Sequence, residues 1–237
     1  PCDLQNGQLV GVHKERYRDW PEELCNALAE RYDYPVCEVL DAEQTRARVA
    51  TDDFLGALYD PQALALHPLN YTLGLAKAAI DAGVRIYEHS RVSHYSRTDP
   101  ALIETPRGSV TSNFVVLGCN GYLENLDRRA ARKIMPINNF MIATEPLGEQ
   151  RARELIKGRF GVHDTRFVVD YFRLSDDHRL LFGGGENYRP KFPADIAKFV
   201  RPYMLKLFPQ LDDVQIDYAW GGTLSVTVNR LPHIGRL

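Results

Sequence analysis

The sequence predicts a mixed α/β and α+β fold in which two kinds of domain are interleaved along one chain. Residues 69–82 carry apolar side chains at helical spacing, end at Gly83 and precede the strand-like residues 84–87. That order is typical of a parallel α/β crossover. The near-continuous apolar run at residues 113–117 is typical of a strand buried on both faces of a parallel sheet. Beyond residue 135, strand-like segments close by hairpins, which indicates a second, mixed sheet.

Length and composition are those of an ordered globular protein without a strong charge bias. The chain has 237 residues, of which 44% are hydrophobic and 25% charged, enough for one large domain or two small ones. With a formal net charge of -2, it has no basic excess for a phosphate backbone, so we expect no nucleic-acid partner. No apolar run approaches the roughly 20 residues of a membrane span, so no transmembrane segment is predicted.

The cysteines and the chain ends bear on the cellular context. Cys2, Cys25, Cys37 and Cys119 form no CxxC motif and lie in no metal-ligand spacing with a histidine. We therefore expect free thiols in a reducing cytoplasm, and no metal site. The first residues have neither the charged nor the apolar region of a signal peptide. Because the chain does not begin with Met and stops just after an apolar segment, we expect it to be a piece of a longer protein.

Local signals predict the elements of the first quarter of the chain. Residues 15–32 have apolar side chains at helical spacing. Asp41 is a candidate N-cap for a short helix over Ala42–Val49. Phe54–Tyr59 has the pattern of a strand, and the residues Asp60–Gln62 that follow it are turn-prone.

Later elements follow from alternating and helical patterns. A three-stranded meander is predicted at residues 91–95, 101–105 and 109–112, with a turn between the last two strands. Residues 195–208 predict an amphipathic helix. Further strands are predicted over residues 138–144, 166–174, 178–184 and 214–219.

The small-residue turn Gly118–Gly121 is a candidate cofactor contact. It follows the predicted strand at residues 113–117, and ligands of open α/β sheets bind beyond the carboxyl ends of strands. Small residues let the backbone approach a ligand closely. A plain tight turn explains the same residues, so both interpretations stand at this stage.

Tyr171 and Arg173 are candidate substrate-binding residues. They alternate with Phe172 and therefore face the same side of a strand. A guanidinium can hold a carboxylate with two parallel hydrogen bonds, and a neighbouring phenol can add a third. The alternative is a structural ion pair between Arg173 and Asp176 or Asp177.

Several familiar motifs are absent or weak. The sequence has neither GxGxxG nor GxSxG, and no histidine spacing indicates a Ser-His-Asp set. Gly183–Gly185 follows a hairpin strand, so a close backbone approach to a neighbour or ligand is favoured over a phosphate cradle. His67 lies directly before Pro68 and a helix, which favours a capping or core role over that of a ligand or base.

Longer stretches resemble a known family. LHPLNYTLGLAKAAIDAGVRIYEHSRV, the meander and NFVVLGCNGY together resemble the middle flavin-domain segment of the D-amino-acid oxidase superfamily. IMPINNFMIATEPLG, DYFRLSDDHRLLFGGGENY and YAWGGTLSVTVNRLPHIGRL are most similar to its gamma-glutamylputrescine oxidase branch. The resemblance covers essentially the whole chain, and the order and spacing of the segments support it rather than one motif.

This resemblance implies a partial Rossmann-like FAD-binding domain interleaved with a mixed-sheet substrate domain. It assigns residues 1–66 and 134–219 to the substrate domain and residues 67–133 to the middle of the FAD-binding domain. Residues 220–237 would return toward the FAD-binding domain. The implied reaction is oxidation of the C–N bond of a small amine or amino acid by hydride transfer to the flavin.

The resemblance also implies roles for single residues. Tyr171 and Arg173 match the strand that faces the substrate above the flavin. Val92 matches the position whose backbone contacts the adenine. Asn229 stands where many members of the family have Asp. The turn near the flavin diphosphate is matched by Gly118, Cys119, Asn120 and Gly121.

The family's GxGxxG segment and its closing glycine-rich segment are not found in this sequence. We therefore expect the 237-residue chain itself to bind FAD weakly or not at all and to show little activity. Two other functions are kept open. One is a FAD-dependent dehydrogenase of the glycerol-3-phosphate dehydrogenase type, which would produce no hydrogen peroxide. The other is a non-catalytic binding module, whose role would survive substitution of Tyr171 and Arg173.

Overall fold

A large mixed sheet dominates the structure, a computed structural model that describes residues 2–188 and 191–236. Pro1 and Leu237, the outermost residues of the predicted domain segments, lie outside the described residues. The eight strands of this sheet are β1 Gln5–Gly11, β2 Glu38–Asp41, β3 Gly56–Ala65, β7 Ile134–Thr144, β8 Gly161–Asp164, β9 Tyr171–Leu174, β10 Leu180–Asn187 and β11 Ile216–Thr227. A three-stranded sheet is formed by β4 His94–Tyr95, β5 Ala101–Thr105 and β6 Gly108–Ser112.

The strand order across the large sheet is β11-β7-β10-β9-β8-β1-β3-β2. Strand β1 pairs in parallel with β8, whereas β3 is antiparallel to both β1 and β2. Strands β8, β9 and β10 are antiparallel neighbours. A mixed sheet beside helices and a small antiparallel sheet confirms the predicted mixed α/β and α+β fold class.

Six α-helices accompany the two sheets in the described part of the chain. None of them is long and apolar enough to cross a membrane. Their bounds are α1 Trp20–Tyr32, α2 Ala42–Arg48, α3 Pro68–Asp81, α4 Arg128–Ala131, α5 Glu149–Leu155 and α6 Ile196–Leu207.

The chain divides into two compact units, each built from two segments. The first unit contains residues 1–72 and 139–221, and the second contains residues 73–138 and 222–237. Which unit binds a cofactor and which binds a substrate stays a prediction.

The main hydrophobic core lies in the first unit, between the large sheet and α6. Phe172 of β9 stacks on Phe182 of β10 with ring centroids 5.8 Å apart, and it meets Phe208 edge-on at 4.9 Å. Val200 and Met204 on the inner face of α6 are fully buried against this cluster. Each buried ring of this size stabilises the fold by about 1.5–3 kcal/mol, so the cluster fixes which face of β9 points inward.

Two helices begin where the sequence predicts, and each start is capped by an aspartate. Asp41 accepts a hydrogen bond from the Gln44 backbone N–H at 2.8 Å, and the Gln44 side chain accepts one from the Asp41 backbone at 3.0 Å. This reciprocal pair satisfies two donors that the first turn of α2 leaves free. Asp195 caps α6 by accepting from the Lys198 backbone N–H at 2.9 Å. The predicted amphipathic helix over residues 195–208 is therefore confirmed.

Helix α3 also begins and ends as predicted. The Asn70 backbone N–H donates to Nδ1 of His67 at 3.3 Å, so His67 is a capping residue. Gly83 has a φ of 89°, the left-handed region, and its N–H bonds the Ile80 carbonyl at 2.9 Å. A glycine permits this turn without steric cost.

Two predicted parallel strands, at residues 84–87 and 113–117, are wrong. Neither segment pairs with another strand in the described part of the chain. Phe114 and Val116 are 82% and 92% exposed, so the apolar run that predicted a buried strand lies on the surface of its unit. An apolar sequence favours a strand only where neighbouring backbone is available to complete the hydrogen bonds.

Two of the strand boundaries that differ from the prediction have a local cause. Strand β3 continues through the turn-prone Asp60–Gln62, because the Asp60 carboxylate accepts from the backbone N–H groups of Gln62 and Ala63 at 2.9 and 3.1 Å. A register shift against β1 accommodates this local turn. Only Tyr171–Leu174 of the predicted strand at residues 166–174 is extended, because Asp164 holds the backbone N–H of Arg166 in a loop at 2.9 Å.

Asp127 organises the second unit. Its carboxylate, 3% exposed, accepts from the Tyr95 hydroxyl at 2.5 Å and from the Arg97 guanidinium at 2.6 Å. It also accepts from the backbone N–H groups of Arg129 and Ala130, each at 2.9 Å. One side chain therefore joins the three-stranded sheet to the start of α4.

We expect Asp127→Ala to loosen the second unit. Loss of a helix cap and of two charge-assisted bonds should lower its free energy of opening by about 1–2 kcal/mol. Hydrogen exchange of the amides in β5 and β6 measures this opening. Asp81→Ala removes a carboxylate that pairs only with Lys77 on the exposed face of α3 and should leave these rates unchanged. Equal rates in both variants would contradict the role given to Asp127.

Candidate functional site

Tyr171 and Arg173 lie side by side on one face of β9. Phe172 and Leu174, which alternate with them, are 3% exposed and point into the core. Strand alternation therefore turns the phenol and the guanidinium to the opposite face, as the sequence predicts. Both side chains are half-buried there.

The Tyr171 hydroxyl has a defined partner. It donates a hydrogen bond to Oδ1 of Asn139 on β7, which lies on the other side of β10 in the sheet. Its ring covers Gly183, directly opposite on β10, where a Cβ atom would collide with the ring. The predicted close approach at the glycine run is therefore confirmed, and the neighbour is an aromatic side chain. Burial raises the pKa of Tyr171 to about 12, so the group is a neutral hydroxyl.

Arg173 is largely buried, although its nearest carboxylate is not in close contact with it. Its side chain is 12% exposed, and its nearest carboxylate is Asp3, at 3.7 Å. One N–H also donates to the Leu174 carbonyl at 3.3 Å. Burial lowers the pKa of Arg173, although an arginine remains charged. A guanidinium has five donors, so most of its hydrogen-bonding capacity is available to a ligand.

The alternative left open by the sequence, an ion pair of Arg173 with Asp176 or Asp177, is wrong. Asp176 lies 3.0 Å from Arg159, and Asp177 pairs with Arg179 at 2.6 Å. The hairpin turns these two carboxylates away from Arg173, whereas Asp3, which lies near the start of the chain, is its neighbour. Arg159 also binds Asp3, at 2.6 Å, so two guanidinium groups share this one carboxylate. Because Arg159 also pairs with Asp176, the two guanidinium groups and the two carboxylates balance in formal charge, and Arg173 has no carboxylate to itself.

A buried charge cluster supports the start of β9. Arg166 pairs with Asp53 and Asp164 and lies 3.7 Å from Asp170. Asp170 is 3% exposed. Burial, followed by repulsion from Asp164, raises the pKa of Asp170 to about 7. This cluster connects β8, the loop before β9 and the segment before β3.

Val92 and Cys119 line one cavity in the second unit. The cavity has a volume of about 620 Å³. Arg91, which is ion-paired with Glu124, lies at its edge. Its walls are mainly apolar and include Tyr95, Ile103, Val115, Leu117 and Tyr122. Two of the five predicted cofactor-binding residues thus share one concave surface.

The other three residues of the predicted turn have different surroundings. Gly118 has open space where a Cβ would lie. At Gly121 a Cβ would meet the Thr223 carbonyl oxygen at 2.5 Å, so close packing requires this glycine. Asn120 accepts from the Ser225 backbone N–H at 2.8 Å. Asn120 and Gly121 therefore hold the end of β11 within the second unit.

Three further residues interact with Tyr171 or Arg173 and were not predicted from the sequence. They are Asn139, which binds Tyr171, Asp3, which neighbours Arg173, and Glu186, whose charge acts on Tyr171. Two of them carry a signal in the sequence. Asn139 is a polar residue within an apolar strand, and Glu186 directly follows three glycines of a buried strand. Asp3 lies far from β9 along the chain and carries none.

The arrangement offers a cationic group, a neutral hydroxyl and an amide on one sheet face. These groups can bind and orient a small ligand that carries a carboxylate. No group of three His, Cys, Asp or Glu side chains in the described ranges could hold a metal ion, and the four cysteines are free thiols.

Two solved structures share the fold of this chain. Glycine oxidase from Geobacillus kaustophilus superposes with a TM-score of 0.82 at 17% identity, over 100% of this chain and 63% of that one. L-proline dehydrogenase from P. horikoshii superposes with a TM-score of 0.77 at 18% identity, over 100% and 65%. At these identities the likeness shows the fold alone.

The chain belongs to the FAD-dependent oxidoreductase family called DAO, whose family model matches residues 1–237. It is 40% identical over 238 residues to gamma-glutamylputrescine oxidoreductase of Escherichia coli strain K12. That alignment covers 100% of this chain and 55% of the relative, so the chain spans about half the length of this relative. The family and the partial coverage predicted from the sequence are confirmed.

Replacement of Asp170 should change the pH dependence of stability. Its pKa in the folded state is raised to about 7, so the folded protein prefers the protonated acid. The protonated Asp170 carboxyl therefore contributes to stability at acidic pH, and this contribution is lost as pH rises toward 7. Asp170→Asn, which stays neutral, should therefore gain stability relative to the wild type between pH 5 and pH 8.

Urea unfolding at the two pH values measures this difference. Asp52→Asn is the control, since Asp52 pairs with Arg46 on the surface and is 89% exposed. It should show the same difference from the wild type at both pH values. A pH-independent effect of Asp170→Asn would contradict the raised pKa.

Proposed function

We propose that the full-length protein containing this chain oxidises the C–N bond of a small amine or amino acid. We further propose a gamma-glutamylated amine as the substrate. The observation that carries the proposal is the half-buried pair Tyr171 and Arg173 on one sheet face. The 40% identity to gamma-glutamylputrescine oxidoreductase of Escherichia coli supports the substrate class.

In this proposal, the side chains of the first unit bind and orient the substrate. Arg173 holds a substrate carboxylate, because it is positively charged, largely buried and only loosely paired with Asp3. Tyr171 stays protonated and contributes its hydroxyl as a polar contact, while Asn139 fixes the direction of that hydroxyl. Orientation of this kind accelerates a reaction by holding the reacting carbon in place, without a strong base.

FAD, the cofactor of the family, would supply the acceptor for the hydride, which carries the two electrons of the oxidation. The second unit fits one part of such a cofactor. Its cavity of about 620 Å³ lies within the roughly 300–1,000 Å³ typical of small-molecule sites. Val92 and Cys119 line it, and Gly118 leaves open space beside the turn. We propose that these residues contact the cofactor.

Filling the cavity should reduce flavin binding. We expect Val92→Trp in the full-length protein to lower the FAD content after desalting several-fold, because the indole occupies the space proposed for the cofactor. Flavin absorbance per mole of protein measures it. Val110→Trp is a matched control on β6, outside the residues that line the cavity. Equal flavin content in the two variants would place the cofactor elsewhere.

Substitution of the pair on β9 should impair catalysis. We expect Arg173→Gln to raise KM for gamma-glutamylputrescine by about tenfold or more, since a charge-assisted pair contributes about 1.5–3 kcal/mol. Tyr171→Phe should lower kcat/KM by about tenfold through loss of one positioned hydrogen bond. Amine-dependent flavin reduction measured without oxygen, followed by a hydrogen peroxide assay in air, separates substrate oxidation from the choice of electron acceptor.

Arg151→Gln provides the control for these variants. Arg151 pairs with Asp213 at 2.6 Å on the surface of the first unit. This variant should keep wild-type kinetics. Wild-type kinetics in Arg173→Gln as well would remove Arg173 from the site, and a wild-type protein that oxidises no amine would overturn the proposed reaction.

A further inference from the structure

Glu186 is a carboxylate near the proposed substrate face, and it forms no ion pair within the described part of the chain. It lies in β10, directly after the glycine run, and is half-buried. Among the described residues, the Tyr188 hydroxyl donates a hydrogen bond to it at 3.2 Å. Within residues 2–188 and 191–236, no Lys or Arg side chain lies within 4.0 Å of it. A half-buried carboxylate without a cationic neighbour favours a cationic ligand.

The pairing of β9 with β10 places Glu186 beyond Tyr171. Tyr171 is opposite Gly183, and Arg173 is opposite Leu181. Gly185 has a φ of 73°, which interrupts the regular alternation of the strand just before Glu186. The negative charge of Glu186 raises the pKa of Tyr171 further, after the larger effect of burial, so the carboxylate is close enough to act on the phenol.

The three residues therefore form a polar strip with opposite charges at its ends. Arg173 is at one end, Tyr171 is near the middle and Glu186 is at the other end. Glu186 is five positions beyond Leu181, the partner of Arg173, which corresponds to roughly 17 Å of strand at about 3.4 Å per residue. Both side chains are long, and they can lean toward the middle to shorten that span.

We propose that Glu186 is a cation subsite that binds the ammonium group of an elongated substrate whose carboxylate is held by Arg173. This inference deepens the proposed function and rests on it. A substrate with a carboxylate at one end and an ammonium at the other matches the charge order and length of the strip. A short amino acid, with both charges on one carbon, matches only one end of it.

The test uses two amines and the FAD-loaded full-length protein. Gamma-glutamylputrescine carries a terminal ammonium and, at its distant glutamyl end, a carboxylate beside a second ammonium, whereas N-acetylputrescine carries the terminal ammonium alone. Glu186→Gln should raise KM for both amines by about tenfold, since it removes the partner of the group they share. Arg173→Gln should raise KM for gamma-glutamylputrescine only. Glu186→Asp, which keeps the charge, should recover most of the affinity.

Glu154→Gln provides the matched control. Glu154 is an exposed glutamate of α5, and its neutralisation should leave both KM values unchanged. Comparable flavin content and circular dichroism in all variants show that folding is intact. An unchanged KM for both amines in Glu186→Gln would overturn the subsite.

Binding measurements keep this result separate from the proposed reaction. If the wild-type protein turns over neither amine, the proposed reaction fails, and calorimetric titration with N-acetylputrescine still decides the subsite. Binding by the wild type that Glu186→Gln weakens about tenfold supports it. Equal binding by both proteins, or none by the wild type, overturns it.

Discussion

The packing of Phe172 between Phe182 and Phe208 determines the direction of every other side chain on β9. Successive residues of a strand point to opposite faces, so once Phe172 is fixed in the core, Tyr171 and Arg173 must face away from it. A shift of one residue would bury the guanidinium and expose the ring, at a cost of several kcal/mol. The proposed substrate face is therefore a consequence of the core beneath it.

Buried charged groups next to the proposed substrate face hold its loop and Arg173 in place, although they are not part of the face. Arg166 and its carboxylate neighbours hold the loop that leads into β9. Asp3 is shared between Arg159 and Arg173, so it restrains the second guanidinium without saturating it. An arginine kept in place but left with free donors is suited to bind a ligand carboxylate, because little ordering is needed when the ligand arrives.

Local signals in the sequence predicted the elements that depend on neighbouring residues. The cap at Asp41 and the left-handed turn at Gly83 use hydrogen bonds that span only a few residues, so the sequence is enough to find them. The apolar residues 113–117 carry the signal of a buried strand and yet are not one. A strand exists only where another backbone pairs with it, and that depends on distant parts of a chain.

The candidate site also has features that depend on neighbouring residues and features that depend on distant parts of the chain. Strand alternation is a local property, so the residue pattern was enough to predict that Tyr171 and Arg173 share a face, and the resemblance to the family was enough to identify a FAD-dependent oxidoreductase. The partners of these side chains became known from the folded chain: Asn139 accepts from the Tyr171 hydroxyl, and Asp3 rather than Asp176 or Asp177 neighbours Arg173. The charge of Glu186 also acts on Tyr171. These contacts join residues far apart in the chain, and their partners are chosen by strand order and packing rather than by spacing in the sequence.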